Sequence, residues 1–147
     1  MRLTKQTAYA IRILTHCAMA GDGPVTTRAI ARAHHITDFN VAKIVPMLVG
    51  AGFLTSTRGR SGGLKLAKPA RDIVLGDVVR ATEATRMQAD CVGPDVECAI
   101  RPLAPVNRIL DEAWSAFIGV LDDYTLADLT EHRPRGRADG LLGALTH

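Results

Sequence analysis

Apolar residues recur with a helical period in three segments near the start of the chain. Thr4 to Met19 has a broad apolar face and predicts a buried first helix. A threonine hydroxyl at position 26 or 27 can cap a second helix, Arg28 to His34, and Thr37 can cap a third, Asp38 to about Gly50. A short turn joins the second and third helices, so the segment predicts a helix-turn-helix.

The third helix has a clear inner stripe, formed by Val41, Ile44, Val45 and Leu48. Pro46 lies in the same segment, where it removes one backbone hydrogen bond and clashes with the preceding turn. It therefore predicts a kink or an early end, at a cost of about 3 kcal/mol if nothing relieves it.

A two-stranded hairpin follows. Alternation from Phe53 to Arg58 predicts one strand and Gly63 to Leu66 the return strand. The glycines between them allow positive φ and let the backbone approach a phosphate, while Arg58, Arg60 and Lys65 supply positive charge. The predicted fold class is therefore mainly α with a small β wing, a winged helix-turn-helix whose partner is double-stranded DNA.

The positions predicted to contact DNA fall into two groups. On the helices they are Arg28, Thr37, Asp38, Phe39, Asn40 and Lys43, with the start of the third helix in the major groove. On the wing they are Arg58, Arg60, Ser61, Gly62, Gly63 and Lys65, held against the minor groove or the phosphates.

Charge is distributed unevenly along the chain. Residues 1–90 hold 13 Lys or Arg against 6 Asp or Glu, a net charge of +7, whereas residues 91–147 hold 5 against 9, a net charge of −4. The basic half contains the helix-turn-helix, as a surface for phosphates requires. An ordinary solvated basic surface is the alternative interpretation.

The second half of the chain predicts a sensor loop and a dimer helix. Periodicity fails from about Glu83 to Pro102, a loop too long for a plain connector, and this loop contains Cys91 and Cys98. A helix from Pro105 to Asp123 then has apolar residues at heptad spacing, which favours a homodimer over packing on its own domain alone. The seam consists of Val106, Leu110, Ala113, Phe117, Val120 and Tyr124, widened by Trp114 and Leu121. Two-fold symmetry would place two recognition helices about one DNA turn apart and predicts a pseudo-palindromic operator.

Other classes of protein receive little support. No segment approaches the roughly 18 apolar residues that a membrane span needs, and the first residues contain no apolar signal core, so we expect a cytoplasmic protein with no membrane partner. We find no nucleophile with a base, no paired carboxylates and no phosphate-binding glycine loop before a helix, so we expect no enzyme. A non-catalytic interaction module is the remaining rival.

The chain resembles the Rrf2-type winged-helix transcriptional regulators, the family of iron-sulfur repressors that includes NsrR, IscR and RirA. The resemblance extends to about Glu131 and is closest to the NsrR and RirA branches. It rests on residues 1–4 and 9–12, the hairpin 58–66, the segment 73–80, Cys91 and Cys98 with Ile100 and Pro102, and residues 122–129. It implies a bacterial, nucleoid-associated, homodimeric repressor that responds to nitric oxide, iron or redox state. A [2Fe–2S] or [4Fe–4S] cluster in the loop would control its DNA affinity.

Two departures from the family pattern bear on that cluster. The third family cysteine would fall at Ala104, and a carboxylate ligand from the first helix of the partner would fall at Ala8. A cluster needs about four donors, so Cys91 and Cys98 cannot complete it alone, and the cluster is labile, incomplete or absent. The candidates for the missing ligands are Asp90, Asp95, Glu97, Asn107, a partner residue or a small exogenous thiol.

The cysteines leave further alternatives open. Cys91 and Cys98 could instead form a thiol-disulfide switch, or the loop could simply contact another protein. Cys17 lies on the apolar side of the first helix and is predicted to be a buried apolar thiol. The chain thus divides into a DNA-binding domain (1–85), a sensor loop (86–104), a dimerisation helix with a short C-terminal helix (105–131) and a flexible tail (132–147).

Overall fold

The computed structural model describes residues 3–57, 59, 62–83 and 104–131. Its elements are α1 Lys5–Met19, α2 Thr27–His34, α3 Asp38–Gly50, β1 Leu54–Thr57, β2 Gly63–Leu66, a 3-10 turn Ala70–Asp72, α4 Leu75–Thr82, α5 Ala104–Asp122 and α6 Leu126–Thr130. The fold is a mostly helical chain with a two-stranded antiparallel wing, which confirms the predicted class. The predictions for Arg58, Arg60, Ser61, Cys91, Cys98 and the tail lie outside the described residues.

Threonine hydroxyls begin each of the first three helices, because they satisfy backbone N–H groups that have no partner within the helix. The Thr26 hydroxyl accepts from the Ala29 N–H at 3.2 Å, and the Thr37 hydroxyl accepts from the Asn40 N–H at 3.3 Å. Thr4 caps α1 in the same way through the Thr7 N–H. The third helix therefore begins where its capping residue predicts.

The turn between α2 and α3 depends on a left-handed residue that is not glycine. His35 has φ of 52°, and its N–H and that of Ile36 donate back to α2 carbonyls. The side chain of Ile36 is then buried in the core, which fixes the position of the turn. Histidine tolerates this conformation better than a β-branched residue does.

Pro46 does not end α3 early, because the helix continues to Gly50. The missing hydrogen bond would have reached the Ala42 carbonyl, and both Ala42 and Pro46 lie on the exposed side of the helix. Water can therefore hydrate that carbonyl, which offsets the missing hydrogen bond.

The core extends from the helix-turn-helix to the last helix. Its fully buried side chains include Ile13, Leu14, Ile30, Leu48, Leu54, Ile73 and Leu126. Cys17 is 1% exposed, as predicted, and burial raises the pKa of its thiol to about 11. Ala8 lies on the exposed side of α1, so the buried face of that helix is narrower than the sequence pattern predicts.

Helix α5 packs on α4, and Ile118, a residue of α5 outside the predicted seam, is only 4% exposed. Beside it the Arg80 guanidinium holds the Asp122 carboxylate at 2.8 and 2.6 Å, and these hydrogen bonds lower the pKa of Asp122 and raise that of Arg80. A Cβ atom at Gly76 would overlap that carboxylate, so glycine permits the close approach of the two helices.

The predicted seam residues of α5 are only partly covered within the chain. Ala113 and Val120 are exposed, while Leu110, Trp114, Phe117, Leu121 and Tyr124 are half-buried; the Val106 side chain lies outside the described residues. After α5 the chain returns to the core through α6, where the Leu126 N–H donates to the Ile73 carbonyl at 2.8 Å. Thr125 and Asp128 form a capping box at the start of that helix.

Candidate nucleic-acid interface

The first turn of α3 projects from the helix-turn-helix. Its buried stripe is the predicted one, Val41, Ile44, Val45 and Leu48. Burial of that stripe leaves Thr37, Asp38, Phe39 and Lys43 exposed and Asn40 half-buried. At 3.6 residues per turn, Phe39 and Lys43 lie about one turn apart on the side opposite the stripe. An exposed helix face of this kind can enter the major groove of DNA.

Helix α2 supports this recognition helix and presents a cation of its own. Ile30 and Ala31 are buried beneath it, as predicted, and Arg28 in its first turn is exposed. Cations close to a helix start can meet a phosphate together with the free N–H groups there.

A histidine pair joins α1 to α2. His16 Nδ1 and His34 Nε2 lie 3.1 Å apart, a contact in which one ring must donate and the other accept. Burial, and then the charges of His16 and Arg12, lower the pKa of His34 below its usual value. The contact between the two rings joins α2 to α1.

The wing is joined directly to the segment that precedes α2. Val25 and Leu64 exchange two backbone hydrogen bonds, of 2.9 and 2.8 Å, as an isolated antiparallel bridge beside β2. A Cβ atom at Gly63 would lie 2.9 Å from the Val25 carbonyl oxygen and 3.0 Å from the Pro24 Cβ. Glycine is therefore required at position 63 by close backbone packing, and the wing and the helix-turn-helix form one connected surface.

A cleft of about 260 Å³ lies where α2 begins beside the wing. Its lining is rich in hydroxyl groups and glycines: Thr26, Thr27, Ser56, Thr57, Gly59, Gly62, Gly63 and Leu64. Hydroxyl and backbone N–H donors of this kind bind phosphate oxygens. The sequence analysis did not include these four hydroxyl residues among the predicted DNA contacts. The runs Thr26-Thr27 and Thr55-Ser56-Thr57 could have indicated them.

Lys65 lies elsewhere on the wing. It is exposed on β2 and lines a second cleft, of about 450 Å³, near the end of α1 together with Asp22 and Lys68. The structure thus brings Gly62 and Gly63 to the α2 cleft and places Lys65 in a different one.

A hydrogen-bonded clamp connects the start of α1 to the end of α4, and no sequence pattern indicated it. The Glu83 carboxylate accepts from the Thr4 N–H at 2.8 Å and from the hydroxyls of Thr4 and Thr7. The Thr7 hydroxyl also lies 2.8 Å from that of Thr82, and Gln6 donates to the Thr82 carbonyl at 3.1 Å. This Glu83 clamp fixes the point at which the chain enters residues 84–103.

The described residues supply no set of metal ligands. Within ranges 3–57, 62–83 and 104–131, no group of three or more His, Cys, Asp or Glu side chains is placed to hold a metal ion. Ala8 and Ala104, at the two positions where the family resemblance implies a ligand, have side chains without any donor atom. The described part of the chain therefore does not by itself fit an iron-sulfur cluster.

A helix-turn-helix with a wing joined to it defines a DNA-binding protein of the winged-helix class. The chain belongs to the Rrf2 family, described as iron-dependent transcriptional regulators, which matches residues 3–132. It is thus a DNA-binding transcriptional regulator. Within the described ranges, no helix combines the length and apolar character that crossing a bilayer requires.

Individual relatives agree with the family assignment. The HTH-type transcriptional regulator NsrR of Geobacillus kaustophilus is 40% identical over 135 residues, which cover 90% of this chain and 92% of that protein. The solved structure of CymR, the global cysteine regulator of B. subtilis, is 28% identical with a TM-score of 0.68 and covers 90% of this chain and 98% of its own. The solved structure of T. potens IscR is 25% identical with a TM-score of 0.70, and the match covers 90% of this chain and 88% of that one.

Proposed function

We propose that the protein is a homodimeric repressor that binds a pseudo-palindromic operator and whose DNA affinity responds to the state of Cys91 and Cys98. The observation that supports it most directly is the backbone pairing of Val25 with Leu64. Because this pairing joins the wing to the helix-turn-helix, one surface can contact both a groove and the adjoining phosphates.

Each part of that surface has a distinct role in the proposal. The first turn of α3, with Thr37, Asp38, Phe39, Asn40 and Lys43, meets base edges in the major groove. Arg28 and the hydroxyl-lined cleft beside Gly62 and Gly63 bind phosphates. Arg58, Arg60, Ser61 and Lys65 hold the wing against the minor groove or the backbone.

Two substitutions separate base contacts from phosphate contacts. Asn40→Ala should change sequence preference at one base pair by about 1–3 kcal/mol, because an amide pairs with adenine through two hydrogen bonds. Arg60→Ala should weaken binding to all sequences alike and reduce the slope of log affinity against log salt by about 1. Fluorescence anisotropy titrations at several salt concentrations, on duplexes enriched by the protein from a random pool, measure both effects.

Met19→Ala provides the control, because Met19 is 76% exposed at the end of α1 and is not among the proposed contact residues. This variant should bind DNA like the parent protein. An unchanged affinity and salt slope for Arg60→Ala would refute the wing assignment. Failure of the parent protein to enrich any sequence would refute the repressor itself.

Helix α5 has a second apolar face that supports the homodimer. Ile109 and Val120 are each 57% exposed, and with Ala113 and Ala116 they form a stripe on the side opposite the buried Ile118. We call Ile109, Ala113, Ala116 and Val120 the exposed stripe of α5. One face of the helix thus packs on its own chain, and the other can pack on the same helix of a second copy.

A charge within this stripe should separate the two copies. We expect Val120→Glu to sediment as a monomer at concentrations at which the parent protein is a dimer, because a carboxylate would lose its hydration in an apolar interface. Ser115→Glu adds the same charge to α5 outside the exposed stripe and should leave the dimer intact. Analytical ultracentrifugation distinguishes the species, and a Val120→Glu protein that remained dimeric would exclude this interface.

The proposed sensor function depends on residues 84–103, which run from the Glu83 clamp to the start of α5. The Glu83 clamp holds the chain where it enters this segment, and α5 begins at its other end. We propose that Cys91 and Cys98 hold an iron-sulfur cluster, labile or incomplete, as the family resemblance implies and as the description of the family as iron-dependent supports. A donor from Asp90, Asp95, Glu97, Asn107, the partner or an exogenous thiol would complete the ligand set.

A cofactor-free thiol-disulfide switch, or a repressor regulated by a partner, is the second candidate. The methyl groups of Ala8 and Ala104 favour it, because they replace two ligands that the family resemblance implies. The chain also shares its fold with a protein described as a global cysteine regulator, CymR of B. subtilis.

Anaerobic reconstitution with iron and sulfide discriminates between the two candidates. We expect visible absorbance in the parent protein and its loss in Cys91→Ala. Cys17→Ala should retain the chromophore, because the thiol of Cys17 is buried and its pKa of about 11 keeps it protonated. A colourless parent protein would refute the cluster. Loss, on oxidation, of two of the three thiols counted after denaturation would then support the disulfide.

A further inference from the structure

The outer face of α3, formed by Phe39, Lys43 and Pro46, has an unusual composition for a surface that meets DNA. Phe39 is 78% exposed, the highest exposure among the large apolar side chains of the described residues. Lys43 is one turn further on, and Pro46 follows without any group that can donate a hydrogen bond. This face therefore offers one large apolar contact and one cation.

Phe39 does not stabilise its own domain in a way that would explain its position. The core beneath α3 is complete with Val41, Ile44 and Leu48, which are 0 to 3% exposed on the opposite side of the helix. A phenyl ring left in water gains nothing from the hydrophobic effect, whereas contact with an apolar group on a ligand would.

The neighbouring residues limit what that ligand group can be. Thr37 caps the helix and fixes its first turn, so Phe39 is presented on a rigid support. Asp38, exposed beside it, would repel a phosphate, which directs this turn toward bases rather than toward the backbone. In the major groove, the apolar feature of the base edges is the 5-methyl group of thymine.

We infer that Phe39 is a specificity-determining residue that packs against a thymine methyl group in each half of the operator. This inference rests on the proposed function, since it requires α3 to lie in the major groove. It adds the chemical identity of one recognised base and a mode of recognition that uses apolar contact instead of a hydrogen bond.

Replacement of thymine by deoxyuridine tests the inference, because it removes the methyl group and leaves every hydrogen-bonding group in place. The probe is a duplex enriched from a random pool by the parent protein, with each thymine replaced in turn. At one thymine per half-site, the substitution should weaken binding about fourfold, and about 15-fold when both halves are changed.

The variant proteins assign the methyl contact to its side chain. Phe39→Ala should bind the thymine duplex about as weakly as the parent protein binds the deoxyuridine duplex, and it should no longer distinguish the two. Met19→Ala, which removes another large exposed apolar side chain away from α3, should discriminate like the parent protein.

Two results would overturn the inference while leaving the proposed function in place. One is an enriched duplex in which no deoxyuridine substitution changes the affinity of the parent protein. The other is a deoxyuridine penalty that persists undiminished in Phe39→Ala. Failure to enrich any duplex would instead refute the proposed function, so the two failures are distinguishable.

Discussion

Replacing Leu126 with alanine should lower the free energy of unfolding by about 2–5 kcal/mol, the range for a large apolar side chain removed from a well-packed core. Leu126 is 0% exposed and belongs to the same core as the helix-turn-helix, although it comes after α5 in the chain. Helix α6 has only five residues, too few to be stable alone, so its helical form depends on this packing. Loss of the side chain should therefore also destabilise the helical form of α6.

Leu129→Ala is the matched control, because Leu129 lies in the same short helix and is 43% exposed. Its substitution should cost less than about 1 kcal/mol, as changes at exposed positions usually do. Urea unfolding followed by circular dichroism measures both variants. Equal losses at the two positions would contradict the placement of α6 in the core.

Replacing Gly63 with alanine should damage the wing and DNA binding together. The added methyl group would press on the backbone of Val25, which is already paired to Leu64, so β2 would have to move away. Overpacking of this kind costs about 1–3 kcal/mol of stability. Loss of wing contacts worth about 1.4 kcal/mol would lower the affinity for the enriched duplex about tenfold.

Gly23→Ala is a suitable comparison, because a Cβ atom at that position would meet only the Ala20 carbonyl oxygen, at an ordinary distance of 3.5 Å. We expect it to unfold and to bind DNA like the parent protein. Denaturant unfolding and anisotropy titration on the same samples test the pair. A Gly63→Ala protein with full stability and full affinity would show that the wing does not depend on its contact with Val25.

Local patterns in the sequence predicted most of the DNA-binding half because the signals there are short-range. The hydroxyl of Thr37 caps α3, its apolar stripe has a helical period, and glycines bracket the hairpin. Each signal involves residues within a few positions of one another. The bounds of α3 and of β2 therefore agree with the expected ones.

The features that the sequence patterns did not predict depend on contacts between residues far apart in the chain. The Glu83 clamp and the pairing of Val25 with Leu64 join positions that no periodicity relates. Helix α5 is the clearest case, because it has apolar residues on two faces and the heptad pattern indicated only one. Ile118 is buried, and α5 packs on α4, which comes about 40 residues before Ile118 in the chain; only the folded structure reveals this packing.

The ion pair between Arg80 and Asp122 sets the pivot about which α5 would tilt in the proposed sensor mechanism. Asp122 is the last residue of α5, so the helix is pinned at the end that is remote from residues 84–103. With 19 residues, α5 is about 28 Å long. A tilt of about 5° around that pivot would displace its free tip by about 2.4 Å, the geometry of a lever. In the proposed dimer, a movement of residues 84–103 over that distance would therefore tilt α5 and change the angle between the two copies.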